Sequence, residues 1–157
     1  MIAAVHDFCL GGGIGLVGNA DIIVAAEGTR FGLPEVNQGA LGAATHLARL
    51  VPQHKMREMV YTAEPVDVSV LLAYGSVSRV VPRGELRDAA FEIAAKICTK
   101  SRFVIRRAKE CLNAIDPVDV LRSDRFEQGF TYELNLSGVS DEARDAFVDK
   151  RDATYSK

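Results

Sequence analysis

No stretch of this sequence stays apolar over the roughly 20 residues that a bilayer span needs. No charged leader precedes the opening MIAAV either. A membrane span and a secretory signal are therefore not expected, and a cytoplasmic protein is. Charge of one sign is missing too: 19 Lys and Arg stand against 21 Asp and Glu, interspersed, for a formal charge of −2. A nucleic-acid footprint or a polybasic membrane patch needs a local excess that this pattern lacks. Cysteine is scarce: Cys9, Cys98 and Cys111 lie far apart, odd in number and outside any C-x-x-C spacing. Neither a disulfide framework nor a zinc site is expected, and no metal. Internal repeats and low-complexity linkers are also lacking. What remains is 157 residues at 48% apolar and 25% charged, the balance of one globular domain with a core.

The β-branched runs Ile2–Val5 and Asp21–Ala26 predict buried strands, and Asp21 is expected to bond backbone donors at the start of the second. Between them, Gly12–Gly18 has room for two helical turns. TRFGLPEVNQGALGA reads as loop, with Phe31 in a brief strand, and Pro34 keeps Leu33 extended. Helices are predicted over Ala44–Leu50 and over Gln53–Ala63, the latter with Met56, Met59 and Val60 on one face. A third follows a cap at Asp67 or Ser69 and stops at Gly75, ahead of a strand near Val77–Val81. Beyond that the pattern is helical, over Arg83–Lys100, Ser101–Ile115, Pro117–Leu136 and Ser140–Lys150. The fold class is α/β, with few strands followed by a mostly helical second half. Residues 1–82 and 83–157 form the two regions.

CLGGGIGLVGNADIIVAAE holds the chemistry. Gly13, Gly15 and Gly18 spell G-x-G-x-x-G, the phosphate-cradling pattern of dinucleotide sites. That motif needs a strand running directly into the first glycine and then a crossover of a dozen residues or more. Here HDFCL separates the first strand from the glycines, the next strand opens three positions after Gly18, and no convincing acid follows at the right distance. Two readings suit the run better. The glycines permit close strand–helix packing, or they form a tight bend whose free N–H groups at a helix start accept developing negative charge.

IAAVHDFCLGGGIGLVGNADIIVAAEGTRFGLPEV resembles the central segment of the crotonase (enoyl-CoA hydratase/isomerase) superfamily. The family's pattern is A-x-V-x-G-x-x-x-G-G-G, a short helix, C-D-x-x-x-A and then F-G-x-P-E. GSVSRVVPRGEL and DEARDAFVDKR continue the likeness almost to the end of the chain. GGGIGLVGNADIIVA, GALGAATHLARLVPQH and EQGFTYELNL are similar to an actinobacterial branch that opens the last carbocyclic ring of a sterol-derived CoA ester.

The resemblance implies the C-terminal portion of a crotonase fold and an acyl-CoA thioester substrate, with no separate cofactor because coenzyme A is part of that substrate. It implies that Gly12 supplies an oxyanion-hole N–H and that Glu35 is the general acid/base. Gly11, Gly13, Gly15, Leu33 and Pro34 then line the substrate, joined by His46 as a second polar group facing the acyl pocket. By the same resemblance Lys150 and Arg151 meet CoA phosphates. A helical C-terminal region that covers the acyl site and builds a homotrimer, or a dimer of trimers, also follows.

One departure is chemical. Hydratases carry a second acid where Gly15 stands, and a single carboxylate makes plain hydration doubtful. One base suffices for a proton shift within an enoyl thioester. It also suffices to activate water against a ring ketone, with a thioester enolate as leaving group. Ring-opening hydrolysis is thus the first reading. Enoyl-CoA isomerase or hydratase chemistry is the second, and a non-catalytic CoA-ester binder or assembly subunit the third. The family's segment before the triple glycine is missing here. The chain is therefore expected to leave its first strand with an open edge, to need oligomerisation and to turn over weakly alone.

Overall fold

The computed structural model describes residues 1–155. IAAV forms β1 (Ile2–Val5) and, after a break at His6 and Asp7, FCL forms β2 (Phe8–Leu10), which runs into α1 (Gly12–Val17). The next pair repeats this course as β3 (Ile22–Ala26) and β4 (Arg30–Gly32). β1 and β3 pair in parallel with Ile2 opposite Ile22, and β2 and β4 pair in parallel with Leu10 opposite Gly32. The two bends are fastened together by the buried Thr29, whose hydroxyl donates to the Ala26 carbonyl at 2.7 Å and the Val5 carbonyl at 3.5 Å.

Past β4 a 3₁₀ turn, Glu35–Gln38, precedes the one-turn α2 (Ala44–Leu47) and then α3 (Gln53–Thr62). β5 (Val66–Asp67) lies antiparallel on β4 and leads into α4 (Val68–Ala73). There Asp67 is the cap, accepting the Ser69 N–H at 2.9 Å, and Gly75 at φ 78° follows the helix end. β6 (Arg79–Val81) completes the first sheet in the order β1-β3-β6; the second runs β2-β4-β5. The remainder is helical: α5 (Leu86–Cys98), α6 (Arg102–Ala114), α7 (Val120–Leu136) and α8 (Val139–Val148).

The core gathers between the two sheets, α1 and α3. Ile14, Phe31, Leu47 and Leu71 have no exposed surface there, and each stabilises the fold by about 1.5–3 kcal/mol relative to exposure. Met59 joins them from α3 with Met56 and Val60 beside it, the face its spacing predicts. Leu86 and Ala89 of α5 cover the other side of β3 at Val24 and Ala26.

Three local readings of the sequence differ from the structure. Phe8–Leu10 is a strand and not a spacer, because it finds β4 alongside. Glu35–Gln38 is a turn of helix and not open loop. Asp21 pairs with the Lys109 ammonium and the Met1 amino group and not with backbone donors. All three depend on partners distant in sequence.

Apolar surface stays open. α6 buries none of its residues, and Leu121, Phe126 and Tyr132 of α7 are exposed. Among the described residues β1 has no strand on its outer edge, as the sequence predicts. No helix among them is long and apolar enough to cross a membrane.

Candidate active site

The parallel pairing of β2 with β4 does the positioning. With Leu10 opposite Gly32, the chain leaves β2 at the triple glycine and leaves β4 at Leu33-Pro34-Glu35, so both motifs emerge at the same end of the sheet. The Gly11 N–H donates to the Gly32 carbonyl at 3.2 Å, which fixes the bend. Gly11 sits at φ 52° and ψ −117°, a conformation that side chains of L-residues rarely allow. A Cβ there would collide with Glu35 Oε1 and lie 3.5 Å from its Cδ. The acid of the proline turn therefore points at the triple-glycine bend.

On α1 the Gly11 carbonyl receives the Ile14 N–H at 2.9 Å and the Gly15 N–H at 3.3 Å. The N–H groups of Gly12 and Gly13 are left without protein acceptors among the described residues, as at any helix start. The Cα of Gly12 faces open space, while Gly13 lies over Cys9 Sγ. Gly15 faces Ala43, whose Cβ would be 3.9 Å from a Cβ at that position. No carboxylate stands at Gly15, and the space beside it is bounded by a methyl group.

Glu35 is held in an unfavourable setting for an anion. Burial pushes its carboxyl above the ordinary value; its own backbone N–H opposes this, and the negative charge of Glu127 adds to it. Oε2 is buried and has no hydrogen-bond partner among the described residues. A carboxyl with a raised pKa and a free oxygen is suited to taking up and returning a proton.

Leu33 is 2% exposed and belongs to the core, so it supports the turn more than it lines a cavity. Pro34 caps the 3₁₀ turn, its φ of −82° close to what the ring imposes. His46 packs against Gly18 at the far end of α1, with Nδ1 buried and without a partner among the described residues, one turn beyond the Ala43–Gly15 contact. The structure thus brings Glu35 against Gly11 at the start of α1, while Gly15 faces Ala43 and His46 lies against Gly18. Arg151 is held bidentate by Glu142, at 2.6 and 3.0 Å, and so is already paired on α8's own carboxylate.

Sequence reasoning missed Glu127 as a site residue. It is 8% exposed on α7 and accepts three hydrogen bonds from Ala44 and Thr45. An acid on an otherwise ordinary helix face carries no local signal for this. The turn that carries Glu35 ends at Gly39, φ 63°, where a Cβ would stand 2.8 Å from Ser140 Cα. Gly39→Ala is expected to destabilise the protein by about 1–3 kcal/mol from backbone conformation alone. The added methyl also pushes α8 off the turn, so chemical denaturation should show a loss at least that large.

Residues 1–157 match the family described as enoyl-CoA hydratase/isomerase over their whole length. The chain belongs to that family. Within it, a Rhodococcus jostii (strain RHA1) protein named (7aS)-7a-methyl-1,5-dioxo-2,3,5,6,7,7a-hexahydro-1H-indene-carboxyl-CoA hydrolase is 64% identical over 149 residues, covering 95% of this chain and 58% of the relative. A Mycobacterium tuberculosis (strain ATCC 25618 / H37Rv) protein of the same name is 61% identical over 150 residues, covering 96% of this chain and 61% of the relative. The solved carnitinyl-CoA hydratase of Mycobacterium avium superposes with a TM-score of 0.86 at 30% identity, over 99% of this chain and 62% of that one. The chain therefore has the crotonase fold and spans about three fifths of the length of the curated relatives it matches.

Dinucleotide binding at the same glycines fails on geometry. β2 does run directly into Gly11, so HDFCL is no obstacle to it. But α1 has only six residues, and β3 pairs with β1 instead of extending the sheet of β2. A pyrophosphate approaching the bend would also meet the Glu35 carboxylate.

Proposed function

We propose that the chain is the acyl-site portion of a CoA-ester hydrolase that opens a ring of a bicyclic keto CoA ester from sterol breakdown by cleaving a carbon–carbon bond. The observation that carries this reading is one carboxylate, Glu35, directed at the glycine bend where the Gly12 N–H has no acceptor among the described residues, with no acid at Gly15. The names of the two hydrolases more than 60% identical to it support the substrate class.

In this reading Glu35 accepts a proton from water as its oxygen bonds to the ring ketone carbon. The tetrahedral centre then collapses to a carboxylic acid. The bond from that carbon to the carbon α to the thioester breaks, and its electron pair passes into the thioester enolate. The Gly12 N–H stabilises the enolate oxygen, and Glu35 returns its proton to the α carbon. Water is consumed, one C–C bond is lost, and no oxidant is required. Gly11 and Gly13 shape the bend, Leu33 and Pro34 hold the acid, and His46 closes the far end of the acyl space. We also place the protein in the cytoplasm and its working form in a homotrimer or dimer of trimers, which would cover the open apolar faces of α6 and α7.

The test offers crotonyl-CoA, a 3-enoyl-CoA and a bicyclic β-keto CoA ester to the protein, with products followed by mass. The ring-opened acid, heavier than its substrate by one water, is expected from the third at a rate at least about a hundredfold above the other two. Preferential hydration of crotonyl-CoA would point to hydratase chemistry, and migration of the 3-enoyl double bond to isomerase chemistry.

A further inference from the structure

Residues 39–45, the segment facing Glu35, have little structure of their own. Ala43 takes φ 60° without being glycine, and α2 is a single turn with no side-chain cap from its own sequence. Such a segment does not hold its place unaided. Its restraints come from some ninety residues further along the chain. Glu127 and Thr131, four apart, share one face of α7. Glu127 Oε1 accepts the Ala44 N–H at 2.8 Å, and Oε2 accepts the Thr45 N–H and the Thr45 hydroxyl, each at 3.0 Å. The Thr131 hydroxyl donates to the Leu41 carbonyl at 2.7 Å and accepts its N–H at 3.2 Å. Ser140 of α8 donates to the Gly39 carbonyl at 2.5 Å.

We propose that Glu127 is the positioning residue of this site: its carboxylate, with Thr131 one turn on, fixes Leu41–Thr45 as the wall opposite Glu35 and so sets the depth of the acyl space beside Gly15. The substrate part of this statement rests on the function proposed above. Both Glu127 oxygens are already engaged by donors, so the residue acts through the segment it holds. That segment touches the site twice. A Cβ at Gly42 would stand 3.6 Å from Glu35 Cγ, and Ala43 faces Gly15. A small shift of the wall changes both contacts at once. Acids are rarely buried this far unless paired, and charge-assisted bonds of this kind are roughly twice as strong as neutral ones.

Glu127 also acts on Glu35 by charge. On the elements packed against the Glu35 turn, Lys55 and Glu58 of α3 pair with each other, Arg144 of α8 pairs with Asp141, and Glu142 with Arg151. His54 and Arg57 of α3 and Asp145 of α8 are exposed. On α2, Arg49 just past the helix is paired with Asp116, and His46 lies against Gly18. Of the charged groups around Glu35, Glu127 is the one that opposes its ionisation.

The experiment compares Glu127→Gln, which removes the charge at constant size, with Glu127→Asp, which keeps the charge and shortens the reach. In protein carrying ¹³C-labelled glutamate, the Glu35 carboxyl is expected to titrate at lower pH in Glu127→Gln and to stay raised in Glu127→Asp. Amide exchange at Ala44 and Thr45 is expected to quicken at least about tenfold in both, since each loses part of the clamp. For the bicyclic ester, kcat is expected to fall about tenfold to a hundredfold in either variant, with KM and CoA affinity changed by less than about threefold. An unmoved Glu35 titration in Glu127→Gln, or unaltered Ala44 and Thr45 exchange, overturns the assignment. Titration and exchange need no turnover. Failure of every ester to react would therefore remove the proposed function while the positioning role is judged on those two readouts.

Discussion

Glu35→Gln is expected to lower kcat for ring opening by about 10²–10⁴-fold, the range by which a positioned acid/base contributes, with CoA-ester affinity retained. The side chain keeps its size and its place against Gly11 but can no longer carry the proton. The same substitution is expected to raise the melting temperature at neutral pH. Burial and Glu127 hold the Glu35 carboxyl above its ordinary value in the folded protein. The protonated form is thus the one the fold favours. Below the unfolded-state value, about 4.3, both states are protonated and Glu35 imposes no penalty. As pH rises through that value and past the folded one, the unfolded chain ionises more readily and stability falls. The melting temperatures of parent and variant should therefore converge below about pH 4 and separate above about pH 5, as scanning calorimetry across that range would record. An active variant removes Glu35 from the chemistry. A variant that is inactive and equally stable at every pH removes the buried charge from the account.

Gly11→Ala is expected to damage the site nearly as much, for a steric reason. A Cβ at φ 52° and ψ −117° costs about 1–3 kcal/mol in backbone conformation, and here it would also land on Glu35 Oε1. Relief comes only if the carboxylate swings away or the bend opens, and either movement separates the acid from the Gly12 N–H. Loss of turnover by at least about a hundredfold, together with a lower melting temperature, is the expected result. Gly12→Ala is the control. Nothing lies within 4 Å of its Cβ position, and the first turn of a helix accepts alanine well. That variant is expected to fold as the parent does. A fully active Gly11→Ala would show that the bend and the acid do not work as one unit.

Much of this is legible in the residues because it depends on local physics. β-branched residues mark β1 and β3, the spacing of Met56, Met59 and Val60 marks the buried face of α3, and Asp67 followed by Gly75 marks the limits of α4. The triple glycine stands out as a bend by residue type, whereas Glu35 is singled out by the resemblance of FGLPEV to the family's F-G-x-P-E pattern. The strand at Phe8–Leu10 is not legible. Three residues carry no periodicity, and this strand exists because β4 lies beside it. The helix starting at Ala44 is legible, but the acceptor that caps its start, Glu127, is not, because it lies some eighty residues further on.

The sequence alone thus determined the α/β class, the glycine bend and the absence of an acid at Gly15. These are properties of residue type and of spacing within a few positions. The tertiary structure alone decided that Glu35 turns toward Gly11, that its carboxyl is buried with one oxygen unpartnered, and that Glu127 clamps the opposite wall. Each of those joins segments from some twenty to more than eighty residues apart. No local pattern records such a pairing, because the strand pairing and helix packing that create it form only when the whole chain folds.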